Sequence, residues 1–283
     1  MTATAAPADA WLTSTRATQS TLQQWWVLTV RLIVPSVTTG EILTAVLAPA
    51  TFTISFYIPL NRVMSFSGTG FSSYAQFMAP IVILQAAAFT AISAAFRSAT
   101  DEVSGLDRRF DAMPMHPLVP TAARMAANVF RASVAMVSAL VSVHVIGFRF
   151  HGSWSHTLGF IGLGMLIALA FNLGADVIGT VTKSPEATTQ MLVLPPLILG
   201  MLSTGLSPVK QFPSWVQPFV RNQPVSQFAD GLRALGGDKT LFNGKPSQVS
   251  EVTWALMTPP LLWAAAIIVV SLFFTYRLNM KRS

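Results

Sequence analysis

The chain contains no cysteine. That excludes disulfides, thiol catalysis and cysteine-ligated metal, and it leaves the redox compartment open. Charge is scarce too. Only 10% of the 283 residues are charged, against roughly 25% in a soluble domain. Short alternating apolar segments are missing, which argues against a membrane β-barrel. There is no Walker A sequence: "GGDKT" at 236–240 lacks the preceding glycine at the required spacing. If ATP drives this protein, another chain binds it. No paired carboxylates stand poised for hydrolysis, and no nucleophile elbow is present. His116, His151 and His156 lack metal-ligand spacing on a common helix face. His144 stands alone in an apolar run and reads as a packed or hydrogen-bonded core residue.

What the chain does have is apolar residues, in blocks. They make up 52% of it, with nineteen Phe and a mean hydropathy of +0.54. Runs of about 20 apolar residues read as membrane-spanning helices. The fold class is therefore an all-α polytopic membrane protein. The net charge of +7 comes from basic residues flanking the apolar segments. Such placement sets membrane orientation and does not call for nucleic acid.

Six spans are expected, at about 42–60, 77–96, 125–148, 157–181, 189–206 and 254–275. Pro49 and Pro80 are expected to kink the first two. Residues 1–20 are rich in Ala and Thr, and read as a flexible cytoplasmic tail without a cleaved signal peptide. Residues 21–35 are too short to span. Trp25 and Trp26 favour the membrane interface and Arg31 can snorkel, so this stretch reads as an amphipathic interfacial helix ending near Pro35. The remainder, 36–283, is one membrane domain.

Orientation follows from the basic residues. With the N-terminus inside, Arg16, Arg31, Arg97, Arg108, Arg109, Arg124, Arg131, Lys183, Arg277, Lys281 and Arg282 lie inside. Arg62, Arg149, Lys210, Arg221, Arg233, Lys239 and Lys245 lie outside, and the last five share one long loop where the rule is weak. Both termini are thus expected in the cytoplasm. The external loop 207–251 carries "FPSWVQPFV" and "VSQFADGLRAL", which suggest short helices dipping into the outer leaflet.

Three features invite a functional reading. The first is "DEVSGLDRRFDAMPMHP" at 101–117, a dense charge cluster that also carries Phe110, Met113 and Met115. A solvated connector has no need of that apolar side. Such a segment suits a groove on a soluble cytoplasmic partner. The second is Pro195-Pro196 in the middle of the expected fifth span, either a plain kink or a hinge lining a path. The third is Asp176, where a structural or interfacial role is favoured over a proton relay. Glu41 reads as a helix-start carboxylate.

These residues resemble the ABC type-2 permease family. "DEVSGLDRRFDAMPMHPLVPTAAR" matches its segment before span three. "SPEATTQMLVLPPLILGMLSTGLSPVKQFPSWVQPFVRNQPVSQFADGLRAL" matches its loop, fifth span and external element. The "NQPVSQFADGLRAL" form is most similar to the daunorubicin-resistance DrrB/DrrC branch, whose cargoes include anthracyclines and phthiocerol dimycocerosate lipids. The resemblance covers the chain from about residue 21. It implies an interfacial elbow helix, six spans, re-entrant external helices and a coupling helix at about 101–115. Glu102, Gly105, Arg108, Arg109, Phe110, Met113 and Pro114 would contact an ATPase. Two ATPase subunits, holding ATP and Mg, would join this permease and a second, identical or paralogous one. This chain would bind no cofactor or metal of its own. Met115-His116-Pro117 departs from the extra basic residue common after "MP".

The resulting expectation is a permease subunit of an ATP-driven exporter in the cytoplasmic membrane, surrounded by membrane lipid and carrying a bulky hydrophobic lipid or drug. Candidate path residues are Phe52, Phe56, Gln85, Phe89, Pro195, Pro196, Met201 and Thr204. The competing reading is an ion-coupled secondary transporter without an ATPase. It needs ion sites at mid-membrane, for which Asp176 is the one candidate, and no internal repeat supports it. A membrane-embedded lipid-modifying enzyme would need a carboxylate or His cluster that this chain does not offer.

Overall fold

The computed structural model describes residues 20–67, 72–106, 113, 115–116, 118–238 and 252–280. Among these, every regular element is helical. The helices are α1 (Thr21–Thr38), α2 (Glu41–Ser67), α3 (Tyr74–Val103), α4 (Leu118–Val145), α5 (Trp154–Thr182), α6 (Pro185–Met201), α7 (Gln217–Asn222), α8 (Pro224–Gly236) and α9 (Trp254–Met280).

Local chemistry sets several boundaries. Ser20 starts α1 with a capping box: its hydroxyl accepts from Gln23 N, and the Gln23 side chain accepts from Ser20 N. The helix continues past Pro35 to Thr38, and the Thr38 and Thr39 hydroxyls close on the Pro35 carbonyl at 3.1 and 2.8 Å. Pro49 and Pro80 lie inside α2 and α3, which run through them as continuous helices. Ser73 caps α3 and Ser184 caps α6.

Five helical stretches have the length and apolar composition to cross a membrane: Glu41–Val63, Tyr74–Val103, Leu118–Val145, Trp154–Thr182 and Trp254–Leu278. The stretch expected as a fifth span over 189–206 is different. It forms α6, which has 17 residues and stops at Met201. Seventeen residues rise about 25 Å, short of a hydrocarbon core of about 30 Å. The early stop has a physical cause. Gln223 Nε2 donates to the Leu199 carbonyl at 3.0 Å and to that of Leu202 at 2.5 Å. Ser203 Oγ donates to the Gly200 carbonyl at 2.6 Å. Carbonyls left over at a helix end need such partners when water is excluded.

Helix α3 is the axis of the bundle. Of its most apolar stretch, 83% is buried, against 17% in α2 and in α9. It packs on α2, α4, α5, α6 and α8. Contact with α5 is through small residues: a Cβ added at Gly179 would lie 2.2 Å from the Ala95 carbonyl oxygen. Close helix approach without a hydrophobic driving force relies on such residues. Met78, Ile83, Phe160, Ile167, Phe228 and Leu232 fill the core around this axis. Helix α1 packs along α4 and leaves Trp26, Val27, Val34 and Val37 exposed.

Candidate functional site

Three layers are stacked along α3. The first is a charged layer near its C-terminal end. Glu41 Oε2 lies 3.2 Å from Arg97 Nη1 and 3.2 Å from Arg131 Nε. Both guanidiniums also donate to Asn128 Oδ1, at 3.0 and 3.2 Å. Arg131 reaches into α1, donating to the Leu32 carbonyl at 2.9 Å and to the Ser36 hydroxyl. Asp176 accepts from the Ser98 hydroxyl and lies 3.6 Å from Arg124 Nε. Lys183 Nζ is 3.5 Å from Glu102 Oε1. The layer therefore ties α1, α2, α3, α4 and α5 together. Asp176 is buried in this network and held by these two partners.

The second layer is a cavity of about 240 Å³ between α3, α5, α6 and α9, open on one side. Pro195, Pro196, Phe171, Leu192 and Ile267 form walls of it, and Gln85 is the one polar side chain among the described residues that line it. A separate cleft of about 200 Å³ lies between α2, α3 and α4, with Phe89 on its wall and Glu41, Arg97 and Arg131 at its charged end.

The third layer is a clasp at the opposite end. Arg233 of α8 donates to Asp230 Oδ1 at 2.7 Å, to the Thr204 carbonyl at 2.8 Å and to the Phe77 carbonyl at 3.1 Å. Its guanidinium lies 4.2 Å from the centre of the Phe77 ring. Burial pulls this guanidinium below its ordinary pKa range, and Asp230 opposes the shift. Thr204 donates from its backbone to Ser226 Oγ at 3.1 Å and from its hydroxyl to Asp230 Oδ1 at 3.0 Å. Gln76 Nε2 donates to the Arg149 and Gly237 carbonyls at 2.9 and 2.6 Å. The residues after α6 are thus bonded back onto α3.

The candidate path residues separate into groups. Gln85, Pro195 and Pro196 meet at the apolar cavity. Phe52 and Phe56 pack together at 4.5 Å in or against the core. Phe89 is at the other cleft, Met201 is exposed at the end of α6, and Thr204 belongs to the clasp. In α1, Trp25 and Trp26 sit 6.3 Å apart, and Trp26 and Arg31 are exposed. Of the expected coupling residues, Glu102 is in the last turn of α3 and pairs with Lys183. Gly105 has φ +68°, a left-handed conformation that suits glycine and ends α3. Met113 is exposed. Arg108, Arg109, Phe110 and Pro114 lie outside the described residues. Residues 101–103, expected to open a separate helix, are instead the continuation of α3.

The sequence reading did not single out Gln223, Asp230 and Arg233. A signal was present: "NQPVSQFADGLRAL" places an acid and an Arg three residues apart on one helix face. Each of the three does bonding work in the clasp.

The family model described as ABC-2 family transporter protein matches residues 16–277. The chain belongs to the ABC-2 transporter family. It is similar to the doxorubicin resistance ABC transporter permease protein DrrB of Mycobacterium tuberculosis (strain H37Rv), 44% identical over 256 residues that cover 89% of this chain and 86% of that protein. The probable doxorubicin resistance permease DrrC of the same strain is 32% identical over 165 residues, covering 56% of this chain and 58% of that protein. The daunorubicin resistance permease DrrB1 of Streptomyces coeruleorubidus is 27% identical over 201 residues, 69% of this chain and 68% of that protein. With five apolar helices of spanning length, the ABC-2 chain is a multi-pass membrane protein.

Proposed function

We propose that this chain is the membrane subunit of an ATP-driven exporter for a bulky hydrophobic molecule, either an anthracycline-type drug or a complex lipid such as phthiocerol dimycocerosate. The observation that carries the reading is the match to the DrrB relative over 89% of the chain, in a protein with no nucleotide-binding motif of its own. Two ATPase subunits hold ATP and Mg. They act on this permease and on a second one, identical or paralogous. The chain resides in the cytoplasmic membrane with both termini inside. Helix α1 lies along the inner interface as the elbow. Helix α6, extended by 202–206, is the fifth of six spans, and the helical segments that follow it form the re-entrant external element.

The ATPase docks on 101–115. Helix α3 leads directly into that segment, and the layer of Glu41, Arg97, Arg131, Asp176 and Glu102 ties its end to four other helices. A push on the segment is therefore delivered to the bundle, not to one helix. Reading the chain as a lone ion-coupled carrier requires a mid-membrane carboxylate available to a proton or ion. Asp176 is occupied by Ser98 and Arg124.

Copurification tests the proposal. Tagged wild-type chain should bring down the ABC ATPase encoded beside it. Arg108→Glu/Arg109→Glu should lose the ATPase while the permease stays in the membrane. Absence of any ATPase from the wild-type preparation would overturn the exporter reading.

A further inference from the structure

The proline pair and Gln85 share one cavity. Pro195 and Pro196 have no N–H. The carbonyls of Met191 and Leu192, one turn earlier in α6, therefore have no donor four residues on. Leu192 lines the cavity with the two prolines. Across it, Gln85 is 8% exposed, and its amide makes no hydrogen bond to the described residues. The amide nitrogen lies against Gly200, where an added Cβ would be 3.7 Å away. A buried amide without a partner is costly, by about 1–3 kcal/mol in proteins. The cavity is thus apolar on its walls, with the Gln85 amide the one polar side chain among the described residues that line it.

We infer that this cavity is a binding site for the apolar skeleton of a molecule that carries a ketone or hydroxyl oxygen in its interior, the oxygen bonding to Gln85. The inference rests on the exporter reading and names the cargo chemistry of one site. Depth excludes an ordinary phospholipid. Gln85 lies eleven residues past Tyr74 and twelve before Arg97, about 16 and 18 Å along the helix. It is therefore near mid-membrane. The ester carbonyls of a phospholipid sit at the edges of a core about 30 Å thick. At the depth of Gln85 such a lipid offers only methylenes, which leave the amide unpaired. Size sets a second limit. The cavity's volume of about 240 Å³ exceeds the ~150 Å³ that admits benzene. It falls below the ~300 Å³ at which drug-sized pockets begin. The site takes the ring portion of a larger molecule, with Phe171 and the two proline rings as flat walls, and the rest stands in the open side.

The test uses the full chain in nanodiscs without ATPase, with doxorubicin as a fluorescent ring-ketone probe. Gln85→Leu keeps the volume and removes the amide, so Kd should rise about tenfold, as one hydrogen bond warrants. Ala88→Phe fills the cavity and should abolish binding. Because the native chain has no cysteine, Ala88→Cys gives a single reactive site. Doxorubicin should protect it from a lipid-soluble maleimide even if the Phe variant fails to fold. Unchanged Kd in folded Gln85→Leu, or absence of protection at Ala88→Cys, overturns the inference. So does an Ala88→Phe protein that loses only bound phospholipid by native mass spectrometry and keeps its doxorubicin Kd. Copurification of the ATPase is measured separately, so loss of the cavity site and loss of the exporter reading give different results.

Discussion

At the scale of single residues, Arg233 shows how a charge is kept inside an apolar bundle. Asp230 is its counter-ion, but the Asp230 side chain remains 35% exposed. The pair alone is therefore worth about 1 kcal/mol or less. More comes from the carbonyls of Phe77 and Thr204, which would be left short of a donor, at about 1–3 kcal/mol for each group. Arg233→Met should therefore destabilise the protein by about 3 kcal/mol, and Asp230→Asn by about 1 kcal/mol. Thermal or denaturant unfolding in nanodiscs reads the difference. Equal losses in the two variants would show that the ion pair, not the carbonyl bonding, holds the clasp. Charged residues that look like an external-loop feature in the sequence are thus part of the packing between α8 and α3.

At the scale of elements, the contact of α3 with α5 depends on Gly179. A methyl there would meet the Ala95 carbonyl oxygen at 2.2 Å and Ser98 Cβ at 2.9 Å. The backbone cannot yield locally, so the helices must separate. Gly179→Ala should destabilise by about 2–3 kcal/mol, within the cost of overpacking a tight interface. Gly162→Ala, which meets nothing within 4 Å on the same helix, should be neutral. Paired unfolding midpoints check this. The sequence carried the existence of these helices well, because each long apolar run had to become one. Expected spans at 42–60, 77–96, 157–181 and 254–275 lie on helices of spanning length, and 125–148 does so up to Val145, where α4 ends. It carried the end of α6 poorly. "LSTGL" continues the apolar run, and what stops the helix is Gln223, more than twenty residues away in sequence. It also missed that α3 runs on to Val103, since Asp101 and Glu102 read as loop charges until Lys183 is seen beside Glu102. Pairing Gln85 with Pro195 and Pro196 required the packing of α3 against α6. Hydropathy carries no information about which helices are neighbours.

At the scale of the whole molecule, orientation is a checkable property. Trp215, just before α7, is 82% exposed, and the Lys183 side chain, between α5 and α6, is 63% exposed. They lie beyond opposite ends of α6. In the cysteine-free chain, Trp215→Cys should react with a membrane-impermeant maleimide in intact cells. Lys183→Cys should react only after permeabilisation. The reverse pattern would invert the molecule and put the 101–115 segment on the wrong side for an ATPase. One consequence of the bundle concerns the bilayer and not the protein. Helix α6 is only 17 residues long, and Met191, Leu194, Leu197 and Ile198 face outward from it. The neighbouring α3 and α5 run 30 and 29 residues, so this flank is the shortest helical wall of the three. Lipid lying against it meets less continuous helix than lipid against the 27-residue α2 or α9, and the acyl-chain length of the host bilayer is expected to become a variable of function on that side.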